Sequence, residues 1–431
     1  MSPLASSATL AAARTALASP RLAAATTIAS IGLGVLATAL ERTLGLATLI
    51  AILTTLLVIV GCSLWVRRTE IEWQGPLPIS LLAFVGWASL SILWSDYQWA
   101  TLGGIAYLLA FLVLGVGIAL TRDTIQIVRS FGDVMRFVLV LSLSVEVLAG
   151  AIIDSPLPFL GVQGNLPTLG PLQGVMGSRN QFALVALLAL VTFCLEFATR
   201  SVTRGLAIGS VAVAVLSLAL SRSPVVGAVL VVVIAASGAL VAIRRAPPER
   251  RTVWQLSIVV AALVLAVVAW LARARIIEIF SANSELTYRV QVWQRAWDLI
   301  ALSPLEGSGW IGAWQSDLPP FSYFASAGVR EPASALNAYL DVWLQLGLVG
   351  VFAFGVLVVL AFTRSWLLAG RHRSIALSWP ALVLLVLTVT SLAESSMLVE
   401  YGWTLLVVCA VGAARQLSWR TAFAPPLLPP E

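Results

Sequence analysis

Apolar residues run along most of this chain without the polar interruptions that a soluble fold would require. About twelve runs are continuous enough to be helices crossing a membrane. Their cores lie near 22–40, 44–66, 77–95, 100–120, 134–153, 181–198, 205–220, 223–243, 254–272, 339–362, 374–393 and 402–414. A bilayer core of roughly 30 Å calls for about 20 residues at 1.5 Å each. Barrel strands would alternate apolar and polar residues, and these runs do not. The expected fold class is therefore all-α and integral to a membrane, with about 12 transmembrane helices in a single polytopic domain, residues 1–431. The first run is too long for a signal peptide, and no small-residue cleavage site precedes a soluble domain, so it reads as a retained span.

The polar segments between the runs orient them. "RRTEIE", "TRDTIQIVRS", "ATRSVTRG", "IRRAPPERR", "TRSWLLAGRHRS" and "ARQLSWR" fall on the same side as the N-terminus. Arginine-rich loops face the cytoplasm, which places both termini there, including a short tail at 421–431. Trp65, Trp73, Trp94, Trp254 and Trp366 lie near span ends, as tryptophans at a membrane interface do.

Two outer loops stand apart. One, about 154–181, is rich in Pro and Gly; the other, about 272–338, is too long for a simple connection. This long extracytoplasmic loop begins with "LTYRVQVWQRAWDLIAL", in which Leu286, Val290, Trp293, Trp297 and Ile300 recur every three or four residues. They share one helix face, which predicts an amphipathic helix lying in the outer interface with its tryptophans in lipid. Ser303-Pro304 ends it, and "EGSGW" supplies turns.

Composition agrees: the chain is 59% hydrophobic and 11% charged, far too apolar for a soluble domain. Its net charge of +6 comes from arginine alone, with no lysine. Because those arginines are spread over loops on one side, the charge does not indicate nucleic acid. Cys62, Cys194 and Cys409 each sit inside an apolar run without paired spacing, as small buried side chains do. A single histidine, His372, excludes a His-rich metal site.

Charges at membrane depth cost a few kcal/mol, roughly, on insertion scales, so each asks for a reason. Arg222, in "LALSRSPVV", falls between two spans with almost no loop. It either snorkels to lipid phosphates or is a fixed cation facing a cavity. Glu146 lies within the fifth run, paired with an arginine or neutral. Arg289 opens the amphipathic segment, and Arg179-Asn180 closes the first outer loop. Several outer arginines converging on a diphosphate would suit arginine chemistry, because the guanidinium stays charged and its planar fork pairs with phosphate oxygens.

Four stretches, in order, resemble the O-antigen ligase and polymerase superfamily of bacterial membrane proteins. "GSRNQFALVALL" resembles that family's Asn-containing start of a middle span, and "SLALSRSPVVG" its Ser-Arg-Ser junction. "YRVQVWQRAWDLIALSPLEGSGW" resembles its Arg-x-x-x-Trp helix and following Pro-Leu-x-Gly-x-Gly, and "SALNAYLDVWLQLGLVG" its His-Asn-x-Tyr-Leu segment. The resemblance implies transfer of a glycan from a polyprenyl-diphosphate donor at the outer membrane face, with neither metal nor cofactor. The acceptor would be a lipid-anchored hydroxyl or another lipid-linked repeat. Donor lipid, acceptor glycan or lipid, and membrane lipids are the implied partners, in the bacterial cytoplasmic membrane.

Arg222 and Arg289 map onto the arginines that hold the donor diphosphate, and Arg179, Asn180, Asn337 and Tyr339 join them as substrate-binding positions. Asn337 also reads as a helix cap and Tyr339 as an interfacial tyrosine, while Tyr339 or Trp310 would stack on sugar rings. The sequence departs from the family at Leu336, where ligases carry a histidine proposed to activate the acceptor hydroxyl. Glu331 and Asp341 are the candidate catalytic bases; each reads otherwise as a solvated loop charge and as a polar residue at a span's outer end. The missing histidine favours a polymerase or a divergent relative. A lipid-linked glycan transporter and a non-catalytic homologue that binds the donor lipid are the competing readings.

Overall fold

A computed structural model describes residues 14–69, 77–271, 283–325 and 332–416, with positions 12 and 275. Among the described residues the chain is helical, joined by turns and one isolated bridge between Leu157 and Val162. The helices are α1 (Pro20–Leu44), α2 (Leu46–Val66), α3 (Ile79–Leu90, continued by a tighter turn to Leu93), α4 (Gln98–Thr121) and α5 (Thr124–Val147). They continue as α6 (Arg179–Thr199), α7 (Arg204–Ser221), α8 (Pro224–Arg245), α9 (Arg251–Leu271) and α10 (Asn283–Ile300). The last are α11 (Ala338–Arg371), α12 (Ser378–Thr390) and α13 (Glu400–Gln416).

Eight of the described helices are long and apolar enough to cross a membrane, against about twelve expected from the apolar runs. The difference has a physical origin in part. Helix α12 has 13 residues, about 20 Å at 1.5 Å per residue, and α3 gives way to a tighter turn after Leu90.

Local chemistry sets the helix starts. Ser19, Ser178 and Ser223 each accept a backbone N–H through the side-chain oxygen, at the first turns of α1, α6 and α8. Proline follows at the first position of α1 and α8, where its missing N–H costs nothing. Of the eight candidate spans, α6 is the most enclosed, while α7 and α8 leave most of their surface outside. Val231, Val232, Ile234 and Val241 of α8 and Val253, Leu256, Val260, Leu263 and Val267 of α9 are exposed, as lipid-facing side chains must be.

Contacts between the connections fall into two groups. At one end the segments after α3, α5, α7, α10 and α12 meet. Trp94 Nε1 donates to the Glu306 carbonyl (3.0 Å), Leu172 N–H to Leu220 (3.0 Å), and Asn337 Nδ2 to Leu392 (3.2 Å). At the other end arginines tie neighbouring helix ends together: Arg67 to Ala18 (2.7 Å), Arg415 to Ala119 (2.6 Å) and Arg244 to Ala369 (2.8 Å).

Helix α11 is broken. Its 34 residues would run about 51 Å at 1.5 Å each, but Gly347 leaves helical geometry at φ 65°, ψ −169°. Only glycine adopts that conformation readily. The loop 303–312 fills the break like a strap. Ser308 and Gly309 N–H donate to the carbonyls of Leu344 and Gln345, Trp87 Nε1 donates to Leu346, and Leu348 N–H donates to Pro304. A Cβ on Gly347 would strike the Leu305 carbonyl. Beyond the break, Ile311 and Gly312 N–H both donate to Gln345 Oε1 (2.9 and 3.0 Å). The glycine-rich run "EGSGWIG" is thus a structural element that restores the backbone partners an interrupted helix loses.

The strap corrects one expectation. Trp310 is 1% exposed and packs edge-on against Phe84 at 5.9 Å, so it is core and cannot stack on a sugar. The amphipathic segment also turns differently. The buried face of α10 runs through Arg289, Val292, Ala296 and Ile300, whereas Val290 and Trp297 are exposed. The apolar spacing found the tryptophan face; the face that packs on the protein is offset from it and carries an arginine.

Candidate functional site

The end of the bundle that carries the strap also carries a continuous polar network. It starts at the N-terminus of α8, where Ser223 Oγ donates to Asn180 Oδ1 (2.8 Å). Asn180, near the start of α6, donates through Nδ2 to Glu394 Oε1 (2.8 Å). The same Glu394 oxygen accepts from the Arg289 guanidinium at 2.9 Å. Arg289 also donates to the Ala393 carbonyl (3.2 Å) and pairs with Glu285 one turn earlier (3.3 Å). Glu285 in turn accepts from Arg179 at 2.7 Å. Three helices and the turn after α12 are joined through four charged side chains, an amide and a hydroxyl.

Each member is held by its element. Ser178 caps α6 and so fixes the first-turn positions of Arg179 and Asn180. Gly177, just ahead, has φ 71° and lies so close to the Arg42 guanidinium that a Cβ would not fit. Ser223 both caps α8, accepting from Val226 N–H (3.3 Å), and feeds the network. Upstream, Glu146 takes the N–H groups of Gln173 and Gly174 (both 2.9 Å). It therefore anchors the first outer loop and, among the described residues, pairs with no arginine.

The electrostatics are those of a balanced but strained cluster. Arg289 is 5% exposed and Glu394 is 7% exposed, so each needs the other; a buried charge stripped of its partner is expensive. Burial pushes the Glu394 carboxyl up from its ordinary range, and the Arg289 guanidinium pulls against that shift. Arg222 differs. It precedes Ser223, adopts a left-handed backbone (φ 46°), and is exposed. Among the described residues it has no hydrogen-bond or ion-pair partner.

The remaining expected positions fall nearby, with other tasks. Asn337 caps α11, its Oδ1 accepting from Tyr339 and Leu340 N–H (3.0 and 3.1 Å), while its Nδ2 donates to Leu392. Tyr339 donates its hydroxyl to the Thr388 carbonyl (3.2 Å) and its ring lies 6.0 Å from Phe354. Asp341 is 1% exposed. Its Oδ1 accepts from Trp314 Nε1 (2.7 Å) and Gln345 Nε2 (2.8 Å), and its Oδ2 from Ala335 N–H (3.3 Å). Asp341 thus ties Trp314, just past the strap, and Ala335 to α11. Glu331 lies outside the described residues. Leu336 has a left-handed backbone at φ 51° and carries no group able to take a proton.

Glu394 and Glu285 were not singled out from sequence. Glu285 had a usable signal, since it stands one turn before Arg289 on the same helix face. Glu394 had none stronger than a lone carboxylate in "TSLAESS", a short connection between two apolar runs.

Residues 207–355 match the family model described as O-antigen ligase. The matched stretch runs from within α7 to the middle of α11, and it contains the Ser-Arg-Ser junction, the α10-and-strap motif and the Asn337 motif. It agrees with the resemblance carried by those motifs. No curated protein matches the chain. The match covers about a third of the chain, and eight described helices are long and apolar enough to cross a membrane.

Proposed function

Proceeding from the O-antigen ligase family, we propose that this protein transfers a glycan from a polyprenyl-diphosphate-linked oligosaccharide to a hydroxyl acceptor at the outer face of the membrane. The observation that carries the proposal is the convergence of Arg179, Asn180 and Arg289 on shared carboxylates, with exposed Arg222 next to Ser223 of the same network. A diphosphate needs several permanent cations with planar donor geometry. Arg222 offers an uncommitted guanidinium, and Arg179 and Arg289 can exchange Glu285 for phosphate oxygens. Once its charge is held, diphosphate is a good leaving group, and fixed donors around it lower the barrier without reorganising.

In this reading the chain crosses the membrane about twelve times, helices α3, α9, α12 and α13 joining the eight candidate spans, with both termini cytoplasmic. The separation of the connections into two ends supports an even alternation. Asn337 and Tyr339 shape the lip where the acceptor approaches. A transporter reading is weaker, because transport sites lie near the bilayer midplane, whereas this network sits where helices begin and end.

Reconstituted protein given a polyprenyl-diphosphate oligosaccharide should yield longer glycans or a glycosylated acceptor, and Arg222→Ala should abolish that product while protein yield is unchanged. Normal product from Arg222→Ala would remove the diphosphate-binding role.

A further inference from the structure

Attack by a hydroxyl on an anomeric carbon releases a proton, and something must accept it. Four described carboxylates in or near the polar network differ sharply in what they have left to give. Both oxygens of Asp341 are occupied by Trp314, Gln345 and Ala335. Both oxygens of Glu285 are engaged, one by Arg179 and the other by Arg289. Glu146 is spent on the amides of Gln173 and Gly174, and its second oxygen is sealed from solvent.

Glu394 is built otherwise. Its Oε1 is fixed by two donors, Asn180 Nδ2 at 2.8 Å and Arg289 at 2.9 Å. Among the described residues its Oε2 accepts no hydrogen bond, and it is not one of the sealed, partnerless atoms, as Glu146 Oε2 and Glu196 Oε1 are. One oxygen is therefore clamped, and the other is without a hydrogen-bond partner among the described residues. The peptide that carries Glu394 also runs beside the lip. Ala338 N–H donates to Ser391 (2.9 Å), Asn337 Nδ2 to Leu392 (3.2 Å), and Arg289 Nε to Ala393 (3.2 Å). Three consecutive carbonyls tie this turn to the start of α11 and to α10, and the next residue is Glu394.

We infer that Glu394 is the proton acceptor of the transfer step, with Asn180 and Arg289 orienting it. This rests on the glycan-transfer reading. The acceptor hydroxyl oxygen forms a bond to the anomeric carbon as the bond from that carbon to the diphosphate oxygen breaks. The hydroxyl proton passes to Glu394 Oε2, and the leaving diphosphate carries the bonding electron pair into the arginine cluster. The clamp on Oε1 serves two ends. It aims the free oxygen, and it places the base against the same guanidinium that meets the leaving group, so proton removal and departure occur on one rigid scaffold.

The groups that face this carboxyl are Arg289 and Glu285 from α10, Asn180 with neighbouring Arg179 from α6, and Tyr401 from α13. Burial raises the carboxyl above its ordinary range against the opposing pull of Arg289. The base must be ionised to work, so transfer falls as pH drops through that raised value.

The test uses the full-length protein in bilayer nanodiscs, undecaprenyl diphosphate as the binding probe, and transfer rates measured across pH. Glu394→Gln should bind the probe at least as tightly as wild type, lose about 10²–10⁴-fold in transfer rate, and lose the acid limb of the profile. Glu394→Asp keeps the charge but retracts the oxygen, so it should retain binding and an acid limb at an intermediate rate. Transfer by Glu394→Gln within about threefold of wild type, or an acid limb that survives in it, overturns the inference. Should Glu394→Gln fail to fold, a wild-type rate in Glu394→Asp overturns it equally. Absence of probe binding by the wild-type protein would instead defeat the diphosphate reading, a different outcome from bound probe without transfer.

Discussion

Arg289 donates to Glu394 across 2.9 Å although 105 positions separate them in the chain. Both are nearly buried, at 6% and 9% side-chain exposure, so the pair is a structural joint as well as a chemical one. It fastens α10 to the turn between α12 and α13. Arg289→Ala should destabilise the protein by about 3–5 kcal/mol, since it leaves Glu394 buried without its cation. Arg289→Ala with Glu394→Ala should recover a large part of that loss. Thermal unfolding in detergent, run as a double-mutant cycle, measures the coupling.

Glu285 occupies Arg179 and Arg289 together, and in the proposed function a diphosphate must compete with it. Glu285→Gln removes the competing charge while keeping the shape. It should tighten undecaprenyl diphosphate binding about tenfold, equivalent to about 1.4 kcal/mol. Titration against reconstituted protein reads the change, and weaker binding would mean that Glu285 positions the arginines more than it competes with phosphate.

Asp341 separates from Glu394 by its consequences. Because its oxygens hold Trp314, Gln345 and Ala335, Asp341→Ala should cost about 1–3 kcal/mol through the donors left unpaired. The acid limb of the transfer profile should stay where it is. Unfolding curves and pH profiles on the same preparation distinguish the two carboxylates.

Gly347→Ala places a methyl group where the Leu305 carbonyl lies and imposes a left-handed φ on an L-residue. The expected cost is at least about 1–3 kcal/mol, visible as reduced folded yield and a lowered Tm. Gly355→Ala, in the continuous part of α11 with nothing near its would-be Cβ, should be neutral or slightly stabilising and serves as the control.

Much of this was legible in the sequence because membranes leave so few options. Long apolar runs with polar breaks become helices, and capping serines and prolines mark their starts. Arg289 and the Arg179-Asn180 pair drew attention because charge near lipid is costly, and all three enter the network. What stayed hidden depended on distance and direction. Glu394 acquires its meaning from Asn180 and Arg289, 214 and 105 positions away, and no local pattern carries that information. On α10, the tryptophan spacing suggested a face turned to lipid, and the stripe that packs on the protein runs through Arg289, Val292, Ala296 and Ile300. Asn337 had two sequence readings, and its side-chain oxygen serves as a cap. The glycines of "EGSGW" read as turns, and the break at Gly347 gives their backbone a helix to complete.

The strap and the break supply each other's missing partners, so neither half is a finished structure by itself. Withdrawing the loop would strand the carbonyls of Leu344 and Gln345 in an apolar setting, and straightening the helix would strand the amides of Ser308 and Gly309. Segments bound by that kind of mutual need open together or not at all. Deuterium uptake at Ser308, Gly309 and Leu348 should accordingly follow a single time course, slow as the bundle itself, and the floor beneath the polar network would behave as rigid ground even while the lip above it admits and releases its substrates.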